Sequence, residues 1–212
     1  IHTYWLKKYG IDAVYEKKAV EPKNVAQFIA NLAVSEFTGC NVTIPHKETV
    51  FQAVAKADKI ASRLGAVNTV YLKNGVTCGT NTDGEGFIAS LRYAYPAFEL
   101  RNKTAVIIGA GGAAKAIIGA LLDEGVARIG IINRTRERIH DLQVQFGPGI
   151  YEISVTISND TLKSCGLLVN TTSQGMEGQP SLELEIQNLN PNALVADIVY
   201  TPLETAFLAK AR

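Results

Sequence analysis

The second half of the chain alternates short, continuously apolar runs with stretches whose apolar residues have helical spacing. The first such run, residues 106–108, enters a glycine-rich turn and continues into a predicted helix over residues 113–122. Buried parallel strands are apolar on both faces, and the helices that connect them show a 3.6-residue period. The pattern therefore predicts a parallel sheet with crossover helices. Further strands of this sheet are predicted at residues 127–132, 166–170 and 193–199.

The first half of the chain mixes helical and strand-like segments. Residues 66–72 and 76–79 alternate around Asn74-Gly75, which is the strongest short signal for a β-hairpin. We expect an N-terminal α/β domain over residues 1–83 with a mainly parallel sheet, and a second domain over residues 84–212. The other predicted segments are helices at 1–9, 25–33, 48–64, 85–95 (a bridge between the domains) and 204–212, strands at 12–16 and 39–44, and polar connections at 158–162 and 187–191.

The glycine-rich turn has the residue types of a dinucleotide-binding crossover. Gly109 permits the tight turn, Gly111 lets the backbone approach phosphate, and Ala114 keeps the helix close to the sheet. The helix N-terminus then faces the anion. The run Gly109-Ala110-Gly111-Gly112-Ala113 is therefore predicted to bind the pyrophosphate in a Rossmann-type domain, and a turn that binds no phosphate is the alternative.

Basic residues follow the next strand, where a dinucleotide-binding domain recognises the ribose. Asn133 lies 21 positions after Gly112, Arg134 and Thr135 follow it directly, and Arg136 and Arg138 come close behind. NAD-binding chains usually place Asp or Glu in this region, whereas guanidinium groups bind a 2′-phosphate. These residues predict NADP as the cofactor. A solvated first helical turn is the alternative interpretation of the arginines.

Composition narrows the class of protein further. The 212 residues are 47% hydrophobic and 19% charged with a net charge of +1, which favours a packed core and gives no basic footprint for nucleic acid or an anionic membrane. The three cysteines lie far apart, so we expect reduced thiols in a cytoplasmic protein. No histidine has metal-ligand spacing. No apolar run is long enough for a membrane helix, and no signal peptide is recognised.

Lys47 is the first candidate for chemistry. Pro45 is predicted at the first helical position after the strand, which places Lys47 in the first turn. A cation there opposes the positive end of the helix dipole. Local rules are broken most often at functional sites, so Lys47 is a candidate for proton transfer. A solvated lysine that tolerates a small cost is the alternative.

Asp83 and Asn68 are the other two polar candidates in this half. Asp83 stands between a strand and a helix, where an N-cap role would by itself account for an aspartate. Its place at the expected domain boundary favours a ligand site, because clefts between domains bind ligands. Asn68 is polar within an apolar strand, so it either satisfies backbone groups or binds substrate.

Seven motifs occur in an order that resembles the shikimate dehydrogenase family over nearly the whole chain. They are N-V-T-I-P-H-K at 41–47, G-A-V-N-T at 65–69, T-D-G at 82–84, G-A-G-G-A at 109–113, N-R-T-x-x-R at 133–138, N-x-T-S-x-G-M at 170–176 and D-x-V-Y-x-P at 197–202. The resemblance implies an N-terminal substrate-binding domain and a C-terminal Rossmann domain. It also implies NADP-dependent interconversion of 3-dehydroshikimate and shikimate, in aromatic amino-acid biosynthesis.

The resemblance also implies roles for individual residues. Lys47 and Asp83 match the catalytic lysine and its partner carboxylate. The positions that match substrate contacts are Thr43, Asn68, Asp83 and Tyr200, and those that match cofactor contacts beside the nicotinamide are Ile198 and Met176. We expect a small-molecule substrate, no nucleic-acid or membrane partner, and a monomer or homodimer.

Two segments of the family pattern have no counterpart in this chain. The family's serine pair precedes the residue at which the chain begins, and its C-terminal segment with a substrate-binding glutamine is absent, so we expect both ends of a longer protein to be missing. Two alternatives stay open. One is a quinate/shikimate dehydrogenase that uses NAD, which the basic residues after position 132 disfavour. The other is a non-catalytic dinucleotide-binding relative, which the presence of both Lys47 and Asp83 disfavours.

Overall fold

The computed structural model describes residues 1–43, 45–154 and 157–212, which form two sheets with helices packed on them. Helices α1 to α9 are His2–Lys8, Val25–Ala30, Lys47–Ala53, Lys59–Leu64, Asp83–Ala94, Gly112–Asp123, Arg136–Phe146, Asn159–Ser164 and Ala206–Lys210. Strands β1 to β9 are Gly39–Asn41, Lys56–Ala57, Thr69–Lys73, Val76–Thr80, Thr104–Ile108, Arg128–Ile132, Ile150–Glu152, Cys165–Asn170 and Leu194–Asp197. Short 3-10 helices cover Pro22–Asn24 and Leu32–Val34.

The second sheet is parallel throughout its described strands, in the order β7-β6-β5-β8-β9. Its central strands are buried on both faces, which accounts for their continuous apolar sequence. Strand β5 lies at the centre of this sheet. The chain adds β6 and then β7 on one side of it, and afterwards adds β8 and β9 on the other side. Open α/β sheets bind ligands at such a switch point, at the carboxyl ends of the strands. The structure confirms the predicted α/β class.

The first sheet differs from the prediction, because it is not mainly parallel in the described strands. Its order is β1-β3-β4-β2, and only the β2–β4 pair is parallel. The turn at Asn74 and Gly75 accounts for the antiparallel β3–β4 pair, because its φ angles of 53° and 74° suit a two-residue hairpin, while β1 pairs antiparallel with β3 across a longer separation in sequence. A hairpin makes neighbouring strands antiparallel, whereas parallel neighbours need a longer crossover.

The helix predicted over residues 48–64 is two helices separated by a strand. Helix α3 ends at Ala53, the two-residue strand β2 pairs with β4, and α4 begins at Lys59. The Asp58 side chain caps α4 by accepting a hydrogen bond of 2.7 Å from the Ala61 N–H. The apolar periodicity continues across this break, so it conceals the new helix start.

Three other segments also differ from their predicted form. Residues 12–16 do not pair as a strand, whereas residues 159–164, which overlap a predicted connection, form helix α8 with Ser158 as its N-cap. The strand predicted over residues 39–44 is shorter, because β1 ends at Asn41. Ile44, its last predicted residue, lies outside the described residues.

Helix α1 contributes nothing to the described core. None of its residues is buried, and Tyr4, Trp5 and Tyr9 all present large exposed areas. The Trp5 ring stacks on Tyr9 at 5.7 Å, and the Lys8 ammonium lies 5.0 Å from the Trp5 ring. Helix α1 therefore makes most of these contacts within its own segment, and its His2 ring also stacks on Tyr15 at 4.2 Å. Among the described residues, no helix combines the length and apolar character that crossing a bilayer requires.

The two sheets are joined by close packing of α5 against α6. Gly84 provides the contact point, because a Cβ atom there would lie 2.5 Å from the Ala116 carbonyl oxygen and 2.9 Å from the Ala120 Cβ. Any side chain at position 84 would have to push the two helices apart. The second residue of α5 is thus held directly against the backbone of α6.

We expect Gly84→Ala to lower the free energy of unfolding by about 1–3 kcal/mol, the usual cost of overpacking. The matched control is Gly86→Ala on the same helix, where a Cβ meets nothing within 4 Å. Alanine there should be stabilising, because it is a better helix former than glycine. Thermal unfolding followed by circular dichroism checks both variants. Equal melting temperatures for the two would contradict the packing argument.

Candidate active site

The N-termini of three helices bring together residues from distant parts of the chain. Lys47 is the first residue of α3, Asp83 the first of α5 and Gly112 the first of α6. The Lys47 Nζ lies 2.6 Å from Asp83 Oδ2, although the residues are 36 positions apart. Their side chains are 19% and 29% exposed, so the ion pair is partly desolvated and still open to a small ligand.

Asp83 does not act as the N-cap of α5. Thr82 occupies the cap position, and the Asp83 N–H donates to Asn81 Oδ1 at 3.1 Å. Asn81 is itself anchored, because its Nδ2 donates to the Ala66 carbonyl. Asn81 therefore accepts the first backbone N–H of α5. Both carboxylate oxygens of Asp83 remain available to side chains in the site.

Asn68 is buried and every part of its amide is used. Its Nδ2 donates to Asp83 Oδ1 at 2.7 Å and to Thr82 Oγ1 at 3.1 Å. Its Oδ1 accepts from the Thr82 N–H at 3.1 Å and from Thr69 Oγ1 at 2.8 Å. Two donors on one side and an acceptor on the other fix which way the amide points. Asn68 thereby holds the second oxygen of Asp83.

A chain of side-chain hydrogen bonds continues outward from Asn68 and was not predicted from the sequence. Thr69 Oγ1 accepts from Asn41 Nδ2 at 3.2 Å, and Asn41 Oδ1 accepts from the Tyr15 hydroxyl at 3.0 Å. The polar residues at 41 and 69 lie in otherwise apolar segments, which is the available signal. Their pairing depends on the β1–β3 register, in which Asn41 faces Thr69.

Thr43 lies at the entrance to α3, and its carbonyl accepts from the His46 N–H at 3.0 Å. Helix α3 begins only at Lys47, so Pro45 precedes the helix instead of occupying its first position as predicted. Thr43 and His46 line a cavity of about 380 Å³ next to the start of α3. Tyr200 lies on the loop after β9 with 77% of its surface exposed. Among the described residues, no hydrogen bond joins Tyr200 to Lys47, Asp83 or Asn68.

The glycine-rich turn leaves room for a phosphate at the N-terminus of α6. Gly109 has φ +107°, and a Cβ there would lie 2.8 Å from Thr171 Oγ1. In contrast, a Cβ at Gly111 or Gly112 would meet nothing within 4 Å, so the turn's backbone faces open space. Ala114 is fully buried against the sheet. The residues present therefore fit a dinucleotide pyrophosphate.

The basic residues after β6 divide into two groups. Arg136 Nε forms an ion pair with Glu152 Oε1 at 3.0 Å. Arg134 and Arg138 are exposed and form no ion pair within the described ranges 1–43, 45–154 and 157–212. Asn133 Nδ2 donates to the Thr135 carbonyl at 2.8 Å, which shapes the turn into α7. Two guanidinium groups are thus available to an anion beside this turn.

The loops after β8 and β9 are tied together by polar side chains for which the sequence predicted no individual role. Asn170 Nδ2 donates to Asp197 Oδ1 at 3.0 Å, and Thr205 Oγ1 donates to Asp197 Oδ2 at 2.8 Å. This network supports the loops that carry Met176 and Ile198. Both of these apolar side chains are more than one-third exposed, at 38% and 37%.

The cysteine thiols are poor candidates for chemistry. Burial raises the pKa of the Cys165 thiol to about 11 and also raises the pKa of Cys40. Both therefore stay protonated at neutral pH, and the reactive form of cysteine is the thiolate. Among the residues that the structure describes, no three His, Cys, Asp or Glu side chains cluster as metal ligands.

Two family models match successive parts of the chain. The model of the shikimate dehydrogenase substrate binding domain matches residues 1–70, and the model of shikimate / quinate 5-dehydrogenase matches residues 92–199. Two curated relatives carry the name shikimate dehydrogenase (NADP(+)). The protein of Methylocella silvestris is 48% identical over 212 residues, and that of Rhodopseudomonas palustris strain HaA2 is 46% identical. Each match covers all of this chain and 75% of the relative.

Two solved structures have a fold similar to that of this chain. Shikimate 5-dehydrogenase from Thermus thermophilus, in complex with NADP(H) and shikimate, matches with a TM-score of 0.86 at 30% identity, over 99% of this chain and 76% of that one. Quinate dehydrogenase from Corynebacterium glutamicum, in complex with NAD, matches with a TM-score of 0.85 at 26% identity, over 100% of this chain and 78% of that one. The fold alone therefore does not separate the two substrates or the two cofactors.

Proposed function

The chain belongs to the shikimate dehydrogenase family, and we propose that its Lys47–Asp83 pair handles the proton of the family's reaction. That reaction is the NADP-dependent interconversion of 3-dehydroshikimate and shikimate, in the biosynthesis of aromatic amino acids. The observation that carries the proposal is the 2.6 Å contact between Lys47 Nζ and Asp83 Oδ2 in a partly desolvated site. A site that only binds a dinucleotide has no need of this pair.

The pair acts at the oxygen of the substrate. When the ketone is reduced, negative charge develops on its oxygen, and the Lys47 ammonium stabilises that charge and donates the proton. When the alcohol is oxidised, the pair accepts the hydroxyl proton. Asp83 Oδ2 holds the ammonium in place, and Asn68 donates to Asp83 Oδ1 so that the carboxylate cannot rotate away.

The remaining substrate contacts are proposed from their position in the family motifs. Thr43 precedes α3 beside the cavity, and Tyr200 reaches from the loop after β9. We divide the chain into a substrate-binding domain at residues 1–83 and a cofactor-binding domain at residues 84–212. The substrate then lies where the two meet, among residues from both.

The cofactor residues are proposed on the fit of the open turn. When bound, NADP supplies or accepts the hydride. The backbone from Gly109 to Ala113 and the N-terminus of α6 hold the pyrophosphate, while Ile198 and Met176 present apolar surface to the nicotinamide. The residues proposed to bind the ribose 2′-phosphate are Asn133, Arg134, Thr135 and Arg138. Guanidinium groups at this position favour NADP over NAD.

The decisive experiment follows the absorbance of the reduced nicotinamide with the full-length protein. Shikimate and quinate are each supplied with NADP and with NAD. We expect turnover with shikimate and NADP. Turnover only with quinate and NAD would assign the chain to the other branch of the family. Dinucleotide binding without turnover in any combination would indicate a sensor and contradict the proposal.

We also propose that the protein works in the cytoplasm as a monomer or homodimer. Its three cysteines are all free thiols, which supports a reducing compartment. Light scattering after size-exclusion chromatography measures the assembly. A larger oligomer would contradict this part of the proposal.

Thr69 should be a positioning residue, because its hydroxyl orients the Asn68 amide. We expect Thr69→Val to lower kcat about fivefold with little change in KM, because it removes the hydrogen bond that orients Asn68 together with the one accepted from Asn41. Thr69→Ser should restore the rate. The control is Thr77→Val on the neighbouring strand, whose hydroxyl accepts a hydrogen bond from the Ala55 N–H. A similar loss of kcat in Thr77→Val would show that the effect is structural.

A further inference from the structure

The residue next to the proposed catalytic lysine makes a contact of its own with helix α6. Glu48 Oε1 lies 3.2 Å from the Nζ of Lys115, a residue 67 positions away and the fourth of α6. We infer that this ion pair is a positioning contact, which sets the distance between the catalytic lysine and the helix that holds the cofactor. The inference rests on the proposed function, because it assigns Lys47 and α6 the roles described above.

The charges at the two helix ends explain why the contact forms. Lys115 lies near the N-terminus of α6, where a cation opposes the helix dipole. Its side chain is 23% exposed and extends toward α3, where Glu48, whose side chain is 66% exposed, occupies the favourable acidic position of the first turn. The Glu48 carboxylate therefore neutralises the Lys115 ammonium, which would otherwise oppose the dipole of α6.

The consequence for the site follows from the chain connectivity. Lys47 contacts Asp83 on α5, and its neighbour Glu48 contacts Lys115 on α6. Helix α5 is in turn packed on α6 through Gly84. The start of α3 is thus fixed at two points against the other two helices. Loss of Glu48 would remove one of these two points and leave the catalytic ion pair to hold the other.

A second ion pair provides a built-in comparison. Arg63 Nη1 lies 2.7 Å from Asp123 Oδ1 and also joins the two halves, but at the C-terminal end of α6, far from the glycine turn. An apolar contact separates the two ion pairs, formed by Leu64, Ala66 and Ala116 with Phe146 beside them. If the Glu48–Lys115 pair only joined the halves, losing either ion pair would have the same effect.

The experiment is a double-mutant cycle on the full-length enzyme with Glu48→Gln, Lys115→Met and the combination. We expect Glu48→Gln to lower kcat about fivefold, with KM for shikimate unchanged within about twofold. The double variant should lose no more than the worse single variant, because the two changes remove one shared contact. The control cycle is Arg63→Gln, Asp123→Asn and their combination, in which kcat should stay within about twofold of the wild type.

A binding measurement separates this role from direct cofactor binding by Lys115. NADPH affinity, read from the emission of the bound dinucleotide, should be nearly equal in wild type and Glu48→Gln. A Lys115→Met variant with weakened NADPH binding, beside an unaffected Glu48→Gln, would overturn the inference. Additive losses in the cycle, or equal losses in the control cycle, would overturn it as well. A wild-type enzyme that does not turn over shikimate would instead contradict the proposed function.

Discussion

Lys47→Ala should lower kcat by about 10²–10⁴-fold, the range expected when a general acid is lost. The structure adds a second reason, because the variant removes the ammonium that contacts Asp83 Oδ2 at 2.6 Å and leaves that carboxylate oxygen without its cation. Steady-state kinetics with shikimate and NADP measure the effect. Lys59→Ala is a matched control, because Lys59 is also the first residue of a helix but is exposed.

The pattern of kinetic constants distinguishes the roles that Lys47 could have. Loss of kcat with little change in KM indicates an interaction made in the transition state. A variant with near-normal kcat and raised KM would limit Lys47 to substrate binding and contradict the proposed mechanism. A Lys59→Ala enzyme should keep both constants of the wild type.

Replacing both Arg134 and Arg138 by serine should weaken NADP binding about 100-fold and leave NAD binding unchanged. Each guanidinium is expected to make a charge-assisted hydrogen bond to the 2′-phosphate, and such bonds are the stronger kind. NAD has an uncharged 2′-hydroxyl in place of this phosphate, so the substitutions remove no ionic contact with NAD. Dissociation constants for the two dinucleotides, measured at fixed ionic strength, test this directly.

Arg136→Ser provides the control for the same experiment. Arg136 lies between the other two arginines in sequence but pairs with Glu152. Its loss should therefore change NADP affinity by less than about threefold, as is typical of an exposed ion pair. If NADP and NAD weaken equally in the double variant, the arginines do not select the cofactor.

The parts of the fold predicted well are those governed by residues close together in sequence. The turn at Gly109 to Gly111 lies between β5 and α6 as its local pattern requires. The direction of the first sheet was predicted wrongly, although the hairpin at Asn74 was recognised, because the other pairings join segments far apart in the chain. The break between α3 and α4 was missed for a related reason, since β2 is formed only by pairing with β4.

The candidate site shows the same division. Lys47 and Asp83 could be picked out singly, Lys47 by its unusual charge at a helix start and Asp83 by its place at the expected domain boundary. Nothing local indicated that Asn81 would serve the helix end and release the Asp83 carboxylate. The Glu48–Lys115 contact also could not be predicted from the sequence, because glutamate is common in the first turn of a helix and does not indicate a partner.

The surface position of α1 determines which optical signals can follow this protein. Trp5 is its only tryptophan, and it lies on a helix that buries none of its residues. The contacts of the Trp5 ring with Tyr9 and Lys8 lie within this helical segment, so its emission is expected to follow α1 and to shift little when the core melts. Fluorescence-detected unfolding would report the fraying of α1, whereas far-ultraviolet circular dichroism reports the domains that carry the site.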